Sequence, residues 1–224
     1  MKYIVSKNSK DKPNFNNLND AIDKSEDFDE IIIKSGIYEE YFTISKKIKL
    51  IGEGFVKIIF NKEKIDNLIF INETCELINL TIETNGIAIQ IYSCFDVIIK
   101  KCNIHSKNKT AISVFGSGDF LISESLIYAN EYCIQFNNLF ENFGYIKKSK
   151  LSSYENTILI TKNAILKIYN SEVYSEKKYN IILRNESQVH LEKSLLVSPD
   201  ANIKLRDNNI KKNVCLIQTK GCIE

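Results

Sequence analysis

From Gly86 onward the chain repeats itself. Segments opening at Gly86, Thr110, Tyr132, Thr157, Tyr179 and Ala201 follow one another at steps of 22 to 25 residues. Each opens on a pair of apolar residues two positions apart: Ile89/Ile91, Ile112/Val114, Ile134/Phe136, Ile158/Ile160, Ile181/Leu183 and Ile203/Leu205. The first five then carry a second apolar position (Ile99, Ile122, Ile146, Ile168, Leu191) and, three residues on, a small one (Cys102, Ser125, Ser149, Ser171, Ser194). Two residues later comes Ile104, Ile127, Leu151, Val173 or Leu196. Alternation with period two is the mark of a strand, and a longer period of about 22 residues means that each strand lies on its equivalent one coil away. One coil earlier, Leu68, Phe70, Ile78 and Thr81 are assigned to the same template, with Ile82 one position early.

This pattern predicts an all-β fold, a single-stranded right-handed parallel β-helix of about eight coils of about 22 residues. Strands stacked at about 4.8 Å make each apolar position a continuous inward column, and the Ser/Cys column marks a corner too tight for a large side chain. A leucine-rich horseshoe would need its L-x-x-L-x-L signature and helices, and a sandwich would show no fixed register. Asn16 to Lys24, with Asn as N-cap and Leu18, Ala21 and Ile22 at helical spacing, predicts a short lid over the first coil. The expected organisation is one domain: strand and helical cap over 1–28, coils over 29–206, and a C-terminal coil or cap over 207–224.

Thirty basic against 28 acidic residues give a formal charge of +2, too little field to hold a polyanion, so nucleic acid is not an expected partner. The opening residues lack the apolar stretch of a secretory signal and no run approaches a membrane span, which points to a cytoplasmic protein. Six cysteines without a CxxC pair read as reduced, packed thiols, and no cofactor or metal is expected.

The stretches Tyr3–Ser6, Phe15–Ile22, Glu30–Glu40 and Ile48–Gly54 hold an initial strand, an Ala21-Ile22 helix core, an I-x-I-x-x-G-x-Y-x-E coil and an I-x-L-x-G-x-G turn. In that order they resemble the opening of pectin lyase-like β-helices, pectinesterases above all. The resemblance implies a turn at Gly36, an aromatic packed on the first coil at Tyr38, and turn conformations at Gly52 and Gly54. The Q-D-T and G-x-V-D-F-I-F-G steps that carry pectinesterase chemistry are absent. So are the N-T-D, D-D, G-H-G and R-I-K elements of polygalacturonases, and pectate lyases would need an acidic calcium cluster with an arginine, of which the chain has only Arg184 and Arg206.

Two surface features remain. Asp96 and Asp119 each sit three residues before an inward ladder residue, which should stack them on adjacent coils near the separation of glycosidase carboxylates; turn aspartates bonding their own backbone are the competing explanation. Leu77, Ile98, Leu121 and Tyr145 are assigned to one outward column, an apolar stripe beside the loop that contains Phe140. The stripe predicts a non-catalytic scaffold that binds another protein or a second copy of itself, unless a loop covers it. The alternative is a carbohydrate-active enzyme or carbohydrate binder with an atypical site.

Overall fold

A computed structural model describes residues 1–60, 67–92, 96–116, 118–137, 142–161, 164–185, 187–200, 202–205 and 214–217. They build a right-handed parallel β-helix with three faces. Face 1 is an eight-stranded sheet running from Phe42–Ile44 through Asn67–Ile71 and Ile112–Val114 to Ile203–Leu205. Face 2 stacks Cys75–Ile78, Val97–Lys100, Phe120–Ser123, Asn142–Lys147, Ala164–Tyr169, Gln188–Glu192 and Val214–Ile217. Face 3 stacks Thr81–Thr84, Asn103–Ser106, Leu126–Ala129, Lys150–Ser153, Glu172–Ser175 and Leu195–Val197. The long strand Ile48–Phe60 joins faces 2 and 3, pairing with Cys75–Ile78 through 48–51 and with Thr81–Thr84 through 57–60.

The expected columns exist. Ile89, Ile112, Ile134, Ile158, Ile181 and Ile203 pair in register along face 1, and all but half-buried Ile203 are sealed in the core. Burying each such side chain contributes about 1.5–3 kcal/mol. The first repeated coil corrects the sequence reading by one position. Ile69 and Ile71 pair with Ile89 and Ile91, Leu77 pairs with Ile99, and Ile82 pairs with Ile104. Adjacent apolar residues at Leu68 and Ile69 are both buried, so alternation alone did not mark which one belongs to the column.

The corner between faces 2 and 3 is built the same way in successive coils. Asn79, Lys101, Glu124, Lys148, Asn170 and Lys193 all hold left-handed backbone, with φ between 47° and 55°. For residues other than glycine that conformation costs about 1–2 kcal/mol each. The next residue offsets the cost. Backbone N–H groups of Cys102, Ser125 and Ser149 donate to the Oγ of Ser125, Ser149 and Ser171 at 3.1 Å, and Ser171 N–H donates to Ser194 Oγ at 3.3 Å. The hydroxyls of Ser125, Ser149, Ser171 and Ser194 in turn donate to the carbonyl two residues back at 2.7–2.9 Å. The hydroxyls of Ser125, Ser149, Ser171 and Ser194 each tie their coil to the one before, whereas the Asn79 and Lys101 corners are followed by Leu80 and Cys102.

The lid is the short helix Leu18–Lys24, whose Leu18, Ala21 and Ile22 are buried. Asn17 is its N-cap, accepting from Asp20 N–H at 2.8 Å, while Glu40 accepts from the backbone of Leu18 and Asn19 at 2.9 and 3.1 Å. Lys46 Nζ closes the other end on the carbonyls of Ile22, Asp23 and Ser25. Tyr38 is fully buried and donates its hydroxyl to Lys34 O at 2.8 Å. Gly54 carries φ +78°, and a Cβ at Gly52 would lie 2.2 Å from the Asn79 carbonyl.

Candidate functional site

The inward side chains of face 2 are buried, so whatever this face contacts meets its outward side chains. Three outward columns run along it. The first holds Asp96, Asp119, Phe143, Ile165 and Gln188; the second Glu76, Ile98, Leu121, Tyr145, Lys167 and His190; the third Ile78, Lys100, Ser123, Lys147, Tyr169 and Glu192. Ile98, Leu121 and Tyr145 stand directly above one another and are half-buried, with half-buried Ile165 and 37% exposed Phe143 beside them. Five apolar side chains therefore form one contiguous patch.

Leu77 does not belong to it. It pairs with Ile99, points into the core and is 0% exposed; the outward residue at that height is Glu76. The slip follows directly from the one-residue register error, since such a shift exchanges the two faces of a strand. Phe140 lies outside the described residues.

Lysines frame the aromatic end of the patch. Lys167 Nζ lies 5.6 Å from the Tyr145 ring centroid, and Lys147 Nζ lies 5.7 and 5.9 Å from those of Tyr145 and Tyr169. At these distances the cations sit at the edge of useful cation–π range. A depression of about 260 Å³ opens next to them, lined by Phe143, Ile165, Lys167, Tyr169 and His190 among others.

Asp96 and Asp119 do stack on adjacent coils, since Val97 N–H donates to Asp119 O and the strands that follow are in register. The Asp119 carboxyl is pushed above its ordinary range by partial burial first and by the charge of Asp96 second, against a lowering hydrogen bond from the Phe143 backbone. Both side chains are exposed, and the column turns apolar at Phe143. His105 and His190 lie on different faces, His105 on face 3 edge-on to Tyr128 at 4.8 Å. Burial lowers the His105 pKa, with Glu83 opposing. Among the described residues no three His, Cys, Asp or Glu side chains converge as a metal site would require. Cys75, Cys102 and Cys133 are free and buried, and burial raises their thiol pKa, that of Cys102 to about 11.

One feature of face 1 had no signal in the repeat. Phe70 and Tyr92 stack at 6.4 Å and 20°, and Tyr92 and Phe115 follow at 6.1 Å, with Tyr92 60% exposed. The three rings form a staircase. They come from different positions in their coils, Phe70 two residues earlier than the other two, so no single column shows them.

Residues 67–223 match the family model of the right-handed β-helix region. No curated protein matches the chain by sequence. Solved structures similar to it include pectin methylesterases: PemA from Erwinia chrysanthemi (13% identity, 96% of this chain and 92% of that one, TM-score 0.62), the Aspergillus niger enzyme (14%, 99% and 91%, 0.63) and the carrot enzyme (12%, 97% and 88%, 0.66). At such identities the likeness establishes the fold and carries no chemistry with it.

Proposed function

The chain belongs to the right-handed β-helix family, and on that premise we propose that it is a non-catalytic scaffold that docks another protein on the outer surface of face 2. The observation that supports this reading is contiguity. Ile98, Leu121 and Tyr145 occupy one column on three successive coils, and Phe143 and Ile165 widen it. A connected apolar patch framed by charge is what a contact surface needs, whereas isolated apolar side chains are ordinary on any protein. The lack of every catalytic motif of the pectin-degrading relatives agrees with a scaffold.

The test is photo-crosslinking in cells that make the protein, with p-benzoylphenylalanine placed at Leu121 on face 2 or at Leu126 on face 3. A protein adduct from position 121 and none from 126 is the expected outcome. No adduct from 121, or equal adducts from both, would remove the basis of the proposal.

A second reading, carbohydrate binding on face 1, is favoured by the Phe70–Tyr92–Phe115 staircase, because exposed rings stack on sugar faces. A structure similar in fold is a pectin methylesterase in complex with a hexasaccharide. Retardation of the protein in a polygalacturonate gel, lost on Tyr92→Ala, would support this reading; unchanged mobility would end it.

A further inference from the structure

The outer columns of face 2 differ in charge from side to side. In strand order they run from acidic (Asp96, Asp119) through apolar (Ile98, Leu121, Tyr145) to basic (Lys100, Lys147, with Ser123 between them). The geometry points to a second copy of this chain as the partner, seated face 2 to face 2 across a two-fold axis parallel to the solenoid axis. This rests on the docking reading above and adds the partner and its orientation.

A two-fold along the solenoid axis exchanges left and right but keeps each coil at its own height. Asp96 of one copy then faces Lys100 of the other, and by symmetry the pair occurs twice. Ile98, Leu121 and Tyr145 meet their own equivalents on the axis, at the roughly 10 Å spacing of packed sheets. Phe143 faces Lys147 and Asp119 faces Ser123. Lys100 is free to take this role, because its contact within the chain, to Glu124 Oε1, is a loose 3.9 Å with both side chains exposed to solvent.

Antiparallel pairing about an axis along the strands fits worse at each register. Centred on Leu121, it sets Asp119 against Asp119 and Lys100 against Lys147. Half a coil toward Ile98, it sets Asp96 against Asp119. Half a coil the other way, both aspartates land on Ile165 and Phe143 and lose solvent without gaining a partner. Lys167, next in the apolar column, would meet itself on the parallel axis, which confines the contact to the three coils of the stripe. An interface that small should be weak, with a dissociation constant of about 10 μM.

Charge reversal with mixing tests the orientation. In sedimentation equilibrium up to about 200 μM, well above that constant, the wild type should dimerise. Asp96→Lys alone and Lys100→Asp alone should each be monomeric, since each places like charges across both symmetric contacts. Mixed in equal amounts, the two variants should form a heterodimer at least about as tight as one tenth of the wild-type affinity. The neutral variants Asp96→Asn and Lys100→Met should weaken the dimer roughly tenfold each and regain about threefold on mixing, because the heterodimer restores one of the two Asp96–Lys100 pairs. A monomeric wild type overturns the self-pairing, and a mixture that stays monomeric overturns the parallel arrangement. Neither result touches the docking reading, which fails only if position 121 crosslinks to no protein or position 126 crosslinks equally.

Discussion

Faces 2 and 3 are built from the same coils, a few residues apart across the serine corner, yet their outer surfaces are opposites. Face 3 carries more exposed apolar residues singly: Leu126 (54%), Tyr128 (37%), Tyr174 (44%) and Leu195 (44%). Leu126 and Tyr128 share one strand, but no two of the four stand on successive coils of one column. Lys150 and Glu172, paired at 3.0 Å, separate Leu126 from Leu195 in one column, and Ser152 separates Tyr128 from Tyr174 in the other. Nearer the lid, Glu83 binds Lys57 at 2.7 Å and Lys107 at 2.5 Å, so charge there is already matched within the chain. Face 2 has less exposed apolar surface per residue, but its residues touch end to end. Contact surfaces depend on connected area, and fractional exposure alone would single out the other face.

Leu77 points into the core and Ile98 out of it, so the same substitution should act very differently at the two. Leu77→Asp should cost at least about 4 kcal/mol and prevent folding, because it puts an unpaired carboxylate in the core. Ile98→Asp, in the outward column, should fold with a melting temperature within a few degrees of wild type, by the usual scale of surface changes of about 0.5 kcal/mol. Thermal melts of the two variants decide it. Similar losses in both would mean that the outer surface of face 2 is packed.

The corner that separates the faces comes next. Ser149→Ala removes an acceptor for Ser125 N–H and a donor to Lys147 O, and should cost about 1–3 kcal/mol in urea unfolding. A neutral result would show that the left-handed corner holds without its hydroxyl column.

The smallest effect lies on face 3 and depends on pH. The Glu83 carboxyl is held down at about 2, by Lys107 first and Lys57 second. A lowered folded-state pKa gives stability that is full above the unfolded carboxylate value and lost as pH falls toward 2. The site is partly exposed, so Glu83→Gln should cost about 1 kcal/mol at neutral pH and flatten the stability loss between about pH 4.5 and 2. Unfolding midpoints measured across that range would show whether the triad is as tight as its geometry.

The scaffold was legible because inward columns admit almost only Ile, Leu, Val and Phe, and from the Gly86 segment onward the assigned columns hold. Legibility failed wherever chemistry did not vary with direction. Leu68 and Ile69 are both buried, which hides the register of face 1, and the step from Ile71 to Leu77 is two residues shorter than its equivalent from Ile91 to Ile99, so the spacing of the later coils misplaces Leu77. The left-handed corner was invisible because Lys101, Glu124, Lys148 and Lys193 occupy it in place of the Gly or Asn that would announce it. On face 1, Leu159 and Ile182 sit between inward positions and are nevertheless buried, which alternation cannot express. The stripe survived in part because Ile98, Leu121 and Tyr145 share their position relative to a correctly placed ladder. The aromatic staircase was missed because its rings do not.

Two leucines five residues apart lie on opposite sides of the corner. Leu121 stands on face 2 and Leu126 on face 3, on either side of Ser125, and Leu126 is the more exposed. Sedimentation equilibrium of Leu121→Asp and Leu126→Asp, against wild type at equal concentration, separates connected surface from mere exposure. Self-association through face 2 requires Leu126→Asp to associate as wild type does and Leu121→Asp to be monomeric. Association lost in Leu126→Asp and kept in Leu121→Asp would contradict it.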